Sequence, residues 1–364
     1  MLERLITVDD FERAAEAVLP RMAWDYYRSG ADDERTLREN RRAFRRWEIW
    51  YRVLVDVSQR SLATSLLGAE LRAPIMIAPT AYHCMAHPEG ERATARAAAA
   101  AGILYVVSTL ATTQLEEVAA ASPGPKWFQL YVHKDRGFTR SLVERAEGAG
   151  YRALMLTVDA PILGRRLADE RNSFSLPGGL AMANLITSGT PGALGSTAEE
   201  RSMLAKYVAA RHDASLTWKD LAWLRGMTSL PLLIKGIVRA DDAALAVEHG
   251  AAGVVVSNHG ARQLDGSPAT IDALPGVVAA VAGRCPVLMD GGVRNGTDIL
   301  KALALGARAV LIGRPILWGL AVGGEAGVAR VLEILQGELS GAMALAGCAS
   351  VADAGGDLVR RRAR

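Results

Sequence analysis

The residues from Val254 to Asp265 read VVVSNHGARQLD, an apolar run short enough for a buried strand that stops abruptly at a cluster of functional groups. His259 and Arg262 leave this strand end three residues apart. An imidazole takes up and releases a proton near neutral pH, and a guanidinium is a permanent, planar anchor for an anion. Together they suit a small hydroxy acid or keto acid. The structural alternative is that His259 caps a turn while Arg262 pairs with Asp265. What speaks for chemistry is the company that other strand ends supply.

Polar groups recur wherever an apolar run stops: Pro79-Thr80-Ala81, Ser108-Thr109, Gln129 with Tyr131, Thr157 and Asp159 with Arg166 beyond, Lys235, Ser257, Asp290-Gly291-Gly292 with Arg294, and Gly313-Arg314. Lys235 interrupts Pro231-Leu232-Leu233-Ile234, so its ammonium needs an electron-rich partner inside the protein. An anionic cofactor ring or a buried carboxylate would serve. The glycine and arginine pairs at the last two strand ends suit a phosphate held by backbone N–H groups and a helix N-terminus, although each pair alone is also a common tight turn. Asp159 can orient the His259 imidazole or cap a helix. Tyr26 and Tyr131 can donate to a carboxylate or simply pack.

The elements that would position these groups are legible as eight apolar runs: Ile75 to Pro79, Ile103 to Thr109, Trp127 to Val132, Ala153 to Asp159, Leu232 to Ile237, Gly253 to Asn258, Val287 to Gly292 and Ala309 to Pro315. Each precedes a helical window, such as Glu89 to Ala101 or Asp241 to Glu248. Eight β-then-α units with near-continuous apolar strands predict a closed parallel (β/α)8 TIM barrel over 74–350, with its chemistry at the C-terminal strand ends. An open doubly wound sheet would usually carry a G-x-G-x-x-G turn, and the chain has none. Residues 1–73 predict a helical extension capping one end of the barrel. Segment 167–217, with Pro177 and Pro191 inside it, is too long for an ordinary loop and predicts a lid over the active face. The whole, 1–364, reads as one domain.

Composition narrows the function classes. Half of the 364 residues are hydrophobic, enough to bury a full core, and the net charge of +3 comes from scattered basic residues, which gives no footprint for nucleic acid or an anionic membrane. The run Arg360-Arg361-Arg362-Ala363-Arg364 reads as a solvated tail. Cys84, Cys285 and Cys348 are too far apart for a disulfide framework or a zinc pattern, and no metal site is expected. A cytoplasmic protein without a membrane span is the expectation.

The same residues carry a resemblance. Asp25-Tyr26-Tyr27 with Ser29-Gly30-Ala31, Pro79-Thr80-Ala81 with His87-Pro88-Glu89-Gly90-Glu91, Phe128-Gln129-Leu130-Tyr131, Thr157-Val158-Asp159 with Gly164-Arg165-Arg166, Lys235-Gly236, the His259 segment, Asp290-Gly291-Gly292-Val293-Arg294 and Gly313-Arg314-Pro315 follow one another in order. In this the chain resembles the FMN-dependent 2-hydroxy-acid oxidases and dehydrogenases, which include glycolate, lactate and mandelate enzymes. The resemblance implies FMN as cofactor and His259 as the base, supported by Asp159. It implies Arg262, Arg166 and Tyr26 as a carboxylate clamp, Tyr131 at the substrate oxygen, and Lys235 beside flavin N1 and O2. Pro79, Thr80, Ala81, Ser108, Gln129, Thr157 and Ser257 would edge the flavin. Asp290, Gly292, Arg294, Gly313 and Arg314 would hold its ribityl and phosphate.

The implied reaction is oxidation of an (S)-2-hydroxy acid to the 2-keto acid, and both hydride and carbanion routes need the same base. Leu110 stands where glycolate oxidases carry a tryptophan, so a roomier pocket taking lactate or mandelate-like acids is expected. Ala81, where some dehydrogenases of the family have glycine, favours O2 as acceptor and hydrogen peroxide as product. The alternatives are a dehydrogenase with another acceptor and a flavin-binding barrel without turnover. A homotetramer is what the resemblance implies for assembly.

Overall fold

The computed structural model describes residues 2–186 and 211–362. The chain opens with three helices, α1 (Val8–Val18), α2 (Arg21–Arg28) and α3 (Arg35–Arg42). A reciprocal capping box starts α1: the Thr7 hydroxyl accepts from the Asp10 N–H at 3.1 Å, and the Asp10 carboxylate accepts from the Thr7 N–H at 2.9 Å. Three short strands follow, β1 (Trp47–Ile49), β2 (Thr64–Leu66) and β3 (Ala69–Leu71).

Eight parallel strands then close into a barrel: β4 (Ile75–Ile77), β5 (Leu104–Val107), β6 (Lys126–Leu130), β7 (Leu154–Thr157), β8 (Leu232–Ile237), β9 (Gly253–Val256), β10 (Val287–Asp290) and β11 (Ala309–Ile312). Neighbours in sequence pair throughout, and β11 returns to pair with β4. All eight expected runs are strands. All but Leu232 to Ile237 overshoot at their C-terminal ends, because the residues after those strands, such as Asp159 and Asn258, turn into the active-face loops.

Both faces of the strands are buried, which is why the runs lack alternation. Met76, Leu104, Trp127, Met155, Leu233, Val255 and Leu288 fill the interior. Ile75, Ile77, Tyr105, Phe128 and Val254 face the surrounding helices. Those helices are α4 (Gly90–Ala100), α5 (Leu115–Ala120), α6 (Arg136–Gly148), α7 (Leu167–Arg171), α8 (Asp220–Arg225), α9 (Ala240–Glu248), α10 (Thr270–Val281), α11 (Gly296–Ala304) and α12 (Arg314–Ala346).

The N-terminal extension differs from the expected helical cap. The β2–β3 hairpin closes the N-terminal end of the barrel, burying Leu66, Ala69 and Leu71 against Met76, Leu104 and Trp127. Helix α1 packs along α12, and α2 reaches the opposite, C-terminal face. Helix α12 is long and apolar enough to cross a membrane, but it is kinked at Gly323 and Gly324 and lodges Trp318, Leu320, Val331, Leu335 and Leu339 in the core.

Of the expected lid, residues 187–210 lie outside the described residues. Its first part holds the short helix α7 and, after an irregular stretch, a 3-10 turn at Ala183–Leu185, whose middle residue Asn184 accepts from the Leu115 N–H at 2.8 Å. The segment rejoins the body beside the chain after β6, where Lys134 N–H donates to Arg211 O at 2.8 Å and Asp213 N–H to Val132 O at 3.0 Å.

Candidate active site

The loop after β9 runs through three residues in the left-handed region, His259 (φ 59°), Gly260 (φ 62°) and Ala261 (φ 63°). For the two non-glycine residues this costs about 1–2 kcal/mol each, so the surroundings must hold it. They do so through Asn258, whose amide exchanges two hydrogen bonds with Asn40 at 2.9 and 2.8 Å and also accepts from the Ala261 N–H at 3.1 Å. The consequence is an imidazole aimed into the barrel mouth.

His259 Nδ1 lies 2.8 Å from Asp159 Oδ1. With Nδ1 carrying the proton toward the carboxylate, Nε2 is left with its lone pair facing the cavity, 3.4 Å from the Tyr131 hydroxyl. Burial opposes ionisation of Asp159, but the adjacent imidazole, its hydrogen bond and the Lys235 ammonium outweigh it and hold the carboxyl below its ordinary value. The close approach needs a glycine opposite: a Cβ on Gly236, at φ 114°, would stand 2.6 Å from Asp159 Cβ.

Both arginines from the sequence reach the same cavity. Arg262 Nη1 donates to Tyr26 O at 2.7 Å and Ser29 O at 2.8 Å, and its Cζ lies 4.7 Å from the centre of the Tyr26 ring. Arg166 Nε reaches Arg262 O at 3.4 Å. Arg262 Nη2 and Arg166 Nη1 are buried without a hydrogen-bond partner. Burial, then repulsion from Arg166, pushes the Arg262 guanidinium below its ordinary value. The alternative pairing with Asp265 does not form: that carboxylate accepts from the N–H groups of Arg35 and Thr36, heading α3. A Cβ on Gly164 would collide with Arg262 O at 2.4 Å, so this glycine lets the β7 and β9 loops touch.

Beside His259, Lys235 Nζ donates to Ser257 Oγ at 2.8 Å and lies 3.0 Å from Asp290 Oδ2. Burial alone would lower the ammonium; Asp290 and Asp159 reverse that and raise it. Asp290 thus supplies one electron-rich partner from the protein itself. Asp290 Oδ1 remains buried without a partner. Ser257, expected at the flavin edge, stands beside Lys235. Fully buried, its hydroxyl is engaged by Lys235 and by the His259 N–H at 3.0 Å, so it positions both behind the cavity wall.

The remaining expected contacts line the mouth: Pro79, Thr80, Ala81, Ser108, Leu110, Gln129, Thr157, Gly292, Arg294 and Gly313. Gln129 Oε1 is held by Ser108 Oγ at 3.3 Å and the Thr109 N–H at 3.1 Å, which leaves its Nε2 buried and unpartnered. Arg294 stacks 4.9 Å from the Trp318 ring centre; burial, then Arg41, pushes it down to about 10. Arg314 lines the cavity as well and also has a bracing role. Its guanidinium donates to Tyr27 O, Gly260 O and Ser29 O at 2.9, 3.0 and 2.9 Å, fastening α2 to the His259 loop. What this strand end offers an anion is the N-terminus of α12, which begins there.

Several contributors went unseen in the sequence. Tyr27, Ile162, Leu163, His212 and Gln263 line the cavity, and His212 stacks on Tyr131 with centroids 4.6 Å apart. Glu91, fully buried, accepts from the His83 N–H and from Thr112 and Thr113, pinning the loops after β4 and β5. Asn258 and Gln263 sit inside a motif that was visible, but nothing local marked their partners.

A mouth edged by backbone and amide groups, a buried cation beside a carboxylate, and a helix N-terminus flanked by an arginine together define a flavin mononucleotide site in an oxidoreductase barrel. The unpartnered Gln129 Nε2, Asp290 Oδ1 and Arg294 Nε are the donors and acceptor that a polar cofactor would satisfy. Comparison with known proteins agrees. The chain matches the FMN-dependent dehydrogenase family over residues 15–361, and it belongs to that family, with FMN as its cofactor. It is 58% identical to an L-lactate oxidase of Nostoc sp. over 352 residues, 96% of each chain. It is 54% identical to a glycolate oxidase of Spinacia oleracea, covering 95% of this chain and 93% of that one. A solved mandelate oxidase with (S)-4-hydroxymandelic acid superposes with a TM-score of 0.90 at 44% identity, over 96% of this chain and 97% of that one.

Proposed function

We propose that the protein oxidises an (S)-2-hydroxy acid to the 2-keto acid, with O2 as the final acceptor and hydrogen peroxide as product. One observation carries the reading: unpartnered N–H groups of Arg166 and Arg262 and the His259 Nε2 face one cavity, with Asp159 behind the imidazole. The guanidiniums bind the carboxylate and fix the orientation of the substrate. His259 Nε2 takes the proton that leaves the substrate, and Asp159 stabilises the imidazolium that results. Tyr131, whose phenol burial holds well above its ordinary value and therefore protonated, donates to the substrate oxygen. FMN, when bound, would supply the acceptor for two electrons, and Lys235 would hold a positive charge beside it.

Leu110, buried in the cavity wall beside Ile162 and Leu163, supports a lactate or mandelate-like side chain over glycolate. An anaerobic panel of hydroxy acids followed by flavin absorbance tests this. Bleaching by S-lactate or S-mandelate faster than by glycolate is expected, and a strong preference for glycolate would overturn the side-chain assignment. Peroxide release in air, measured against reduction of an artificial acceptor, separates an oxidase from a dehydrogenase; Ala81 in the cavity wall supports the former.

Assembly and location belong to the same proposal. Trp50, Tyr51, Val53, Leu54 and Val55 form an exposed apolar strip that supports a homo-oligomer, expected as a tetramer by light scattering. The three cysteines are free thiols, which suits the cytoplasm; cell fractionation is the check.

A further inference from the structure

Two buried guanidiniums side by side repel each other, and the structure places one carboxylate against them. Asp169, on α7, directs Oδ2 to within 3.6 Å of Arg166 Nη1, with the two side chains only 16% and 5% exposed. That separation is too long for a formed hydrogen bond. Asp169 Oδ1 is buried with no hydrogen-bond partner, so the carboxylate does not cap the helix it heads. Neighbouring Asp25, by contrast, is engaged by Arg21 Nε at 2.7 Å and Asn172 Nδ2 at 2.9 Å. A carboxylate that served only to brace Arg166 would close to a charged hydrogen bond. Here the facing Nη1 stays uncommitted while the charge remains close.

We propose that Asp169 is the internal counter-charge of the carboxylate clamp, a specificity-determining residue that matches the clamp to one substrate carboxylate and disfavours dicarboxylic acids. This rests on the hydroxy-acid reading given above. Arg166 and Arg262 carry two positive charges and Asp169 one negative, which leaves one for the substrate to neutralise. A second carboxylate entering the cavity would lack compensation, and in a water-poor site that is costly. Burial raises the Asp169 carboxyl above its ordinary value, while Arg262 and then Arg166 pull it back, as expected for a carboxylate held by charge. The backbone of the same residue makes a separate contact: Asp169 O accepts from the Phe174 N–H at 2.8 Å, and Phe174 stacks on Tyr26. Side-chain variants leave that bond in place.

The experiment uses FMN-loaded protein and two inert acids of matched size, propionate and malonate, titrated anaerobically by their perturbation of the flavin spectrum. In Asp169→Asn both should bind more tightly, with malonate gaining about tenfold more than propionate. In Asp169→Glu the malonate-to-propionate ratio should stay at the wild-type value. The KM of the preferred hydroxy acid should fall in Asp169→Asn with kcat nearly unchanged. Asp169→Ser, which also removes the charge, replaces the amide variant should that one lose its flavin. Equal changes for both acids, or weaker binding of both, would show a structural residue only and overturn the proposal. Wild-type protein whose flavin responds neither to propionate nor to any hydroxy acid would instead overturn the underlying reading, and the counter-charge with it.

Discussion

At the N-terminal end of the barrel, Leu66, Ala69 and Leu71 meet Met76, Leu104 and Leu288 in an apolar seam where, among the described residues, Trp127 Nε1 is the one side-chain polar atom buried without a partner. At the C-terminal end, Gln129 Nε2, Asp159 Oδ2, Arg166 Nη1, Arg262 Nη2 and Asp290 Oδ1 are all buried without partners, and His259 and Ala261 hold left-handed backbone. The same eight strands join both ends. The difference teaches where stability is made and where it is given up. The plug is ordinary close packing, while the mouth keeps desolvated groups that only cofactor and substrate can satisfy.

Breaking the mouth should therefore cost activity without stability. The largest effect is expected for His259→Gln, which removes the proposed base: the anaerobic rate of flavin bleaching should fall about 10²–10⁴-fold with flavin content and melting temperature unchanged or improved. A variant that keeps its rate would mean that another group takes the proton. Next comes Arg262→Lys, which keeps the charge and loses the fork to Tyr26 O and Ser29 O. A drop in kcat/KM of about 10²-fold is expected, read from steady-state kinetics, and mostly in KM if the clamp only binds.

Breaking the plug should do the reverse. Leu71→Ala, at a site 3% exposed, should lower unfolding free energy by about 2–5 kcal/mol in a denaturant titration and leave kcat within error.

The smallest effect sharpens the contrast through pH. Burial pushes His133 down to about 3 and His212 down to about 4. Their folded values lie below the ordinary one near 6.5, so from there downward the unfolded chain binds more protons than the native protein. The stability is complete above pH 6.5 and is lost as pH falls toward 4. Melting temperature should drop between pH 7 and pH 5, and His212→Leu should flatten that slope. The plug has no such group, so Leu71→Ala should shift the whole curve without changing its shape.

The barrel was legible because burial on both faces leaves a mark in the chain itself: eight apolar runs at β-then-α spacing. The gathering of polar groups at one mouth was legible too, since polar residues that stop an apolar run have few structural reasons to be there. Strand ends were read too long wherever the functional loop continued the apolar pattern, as at Ile103 to Thr109 against an observed Leu104–Val107. The hairpin plug was missed because Thr64 to Leu71 is too short to outweigh the helical pattern before it. The bond of Ser257 to Lys235 was not legible, because it joins residues 22 positions apart at neighbouring strands.

By itself the amino-acid order determined the eight barrel strands with their helices and which polar side chains stop those strands, because these follow from local period and residue type. Only the folded chain decided partnership. Asn40 meets Asn258 across 218 positions, Asp290 neutralises Lys235, Arg314 ties three carbonyls, and Asp169 faces two guanidiniums. Such pairings depend on distance in space and on the desolvation that closing the barrel imposes. Neither is a property of neighbours along a chain.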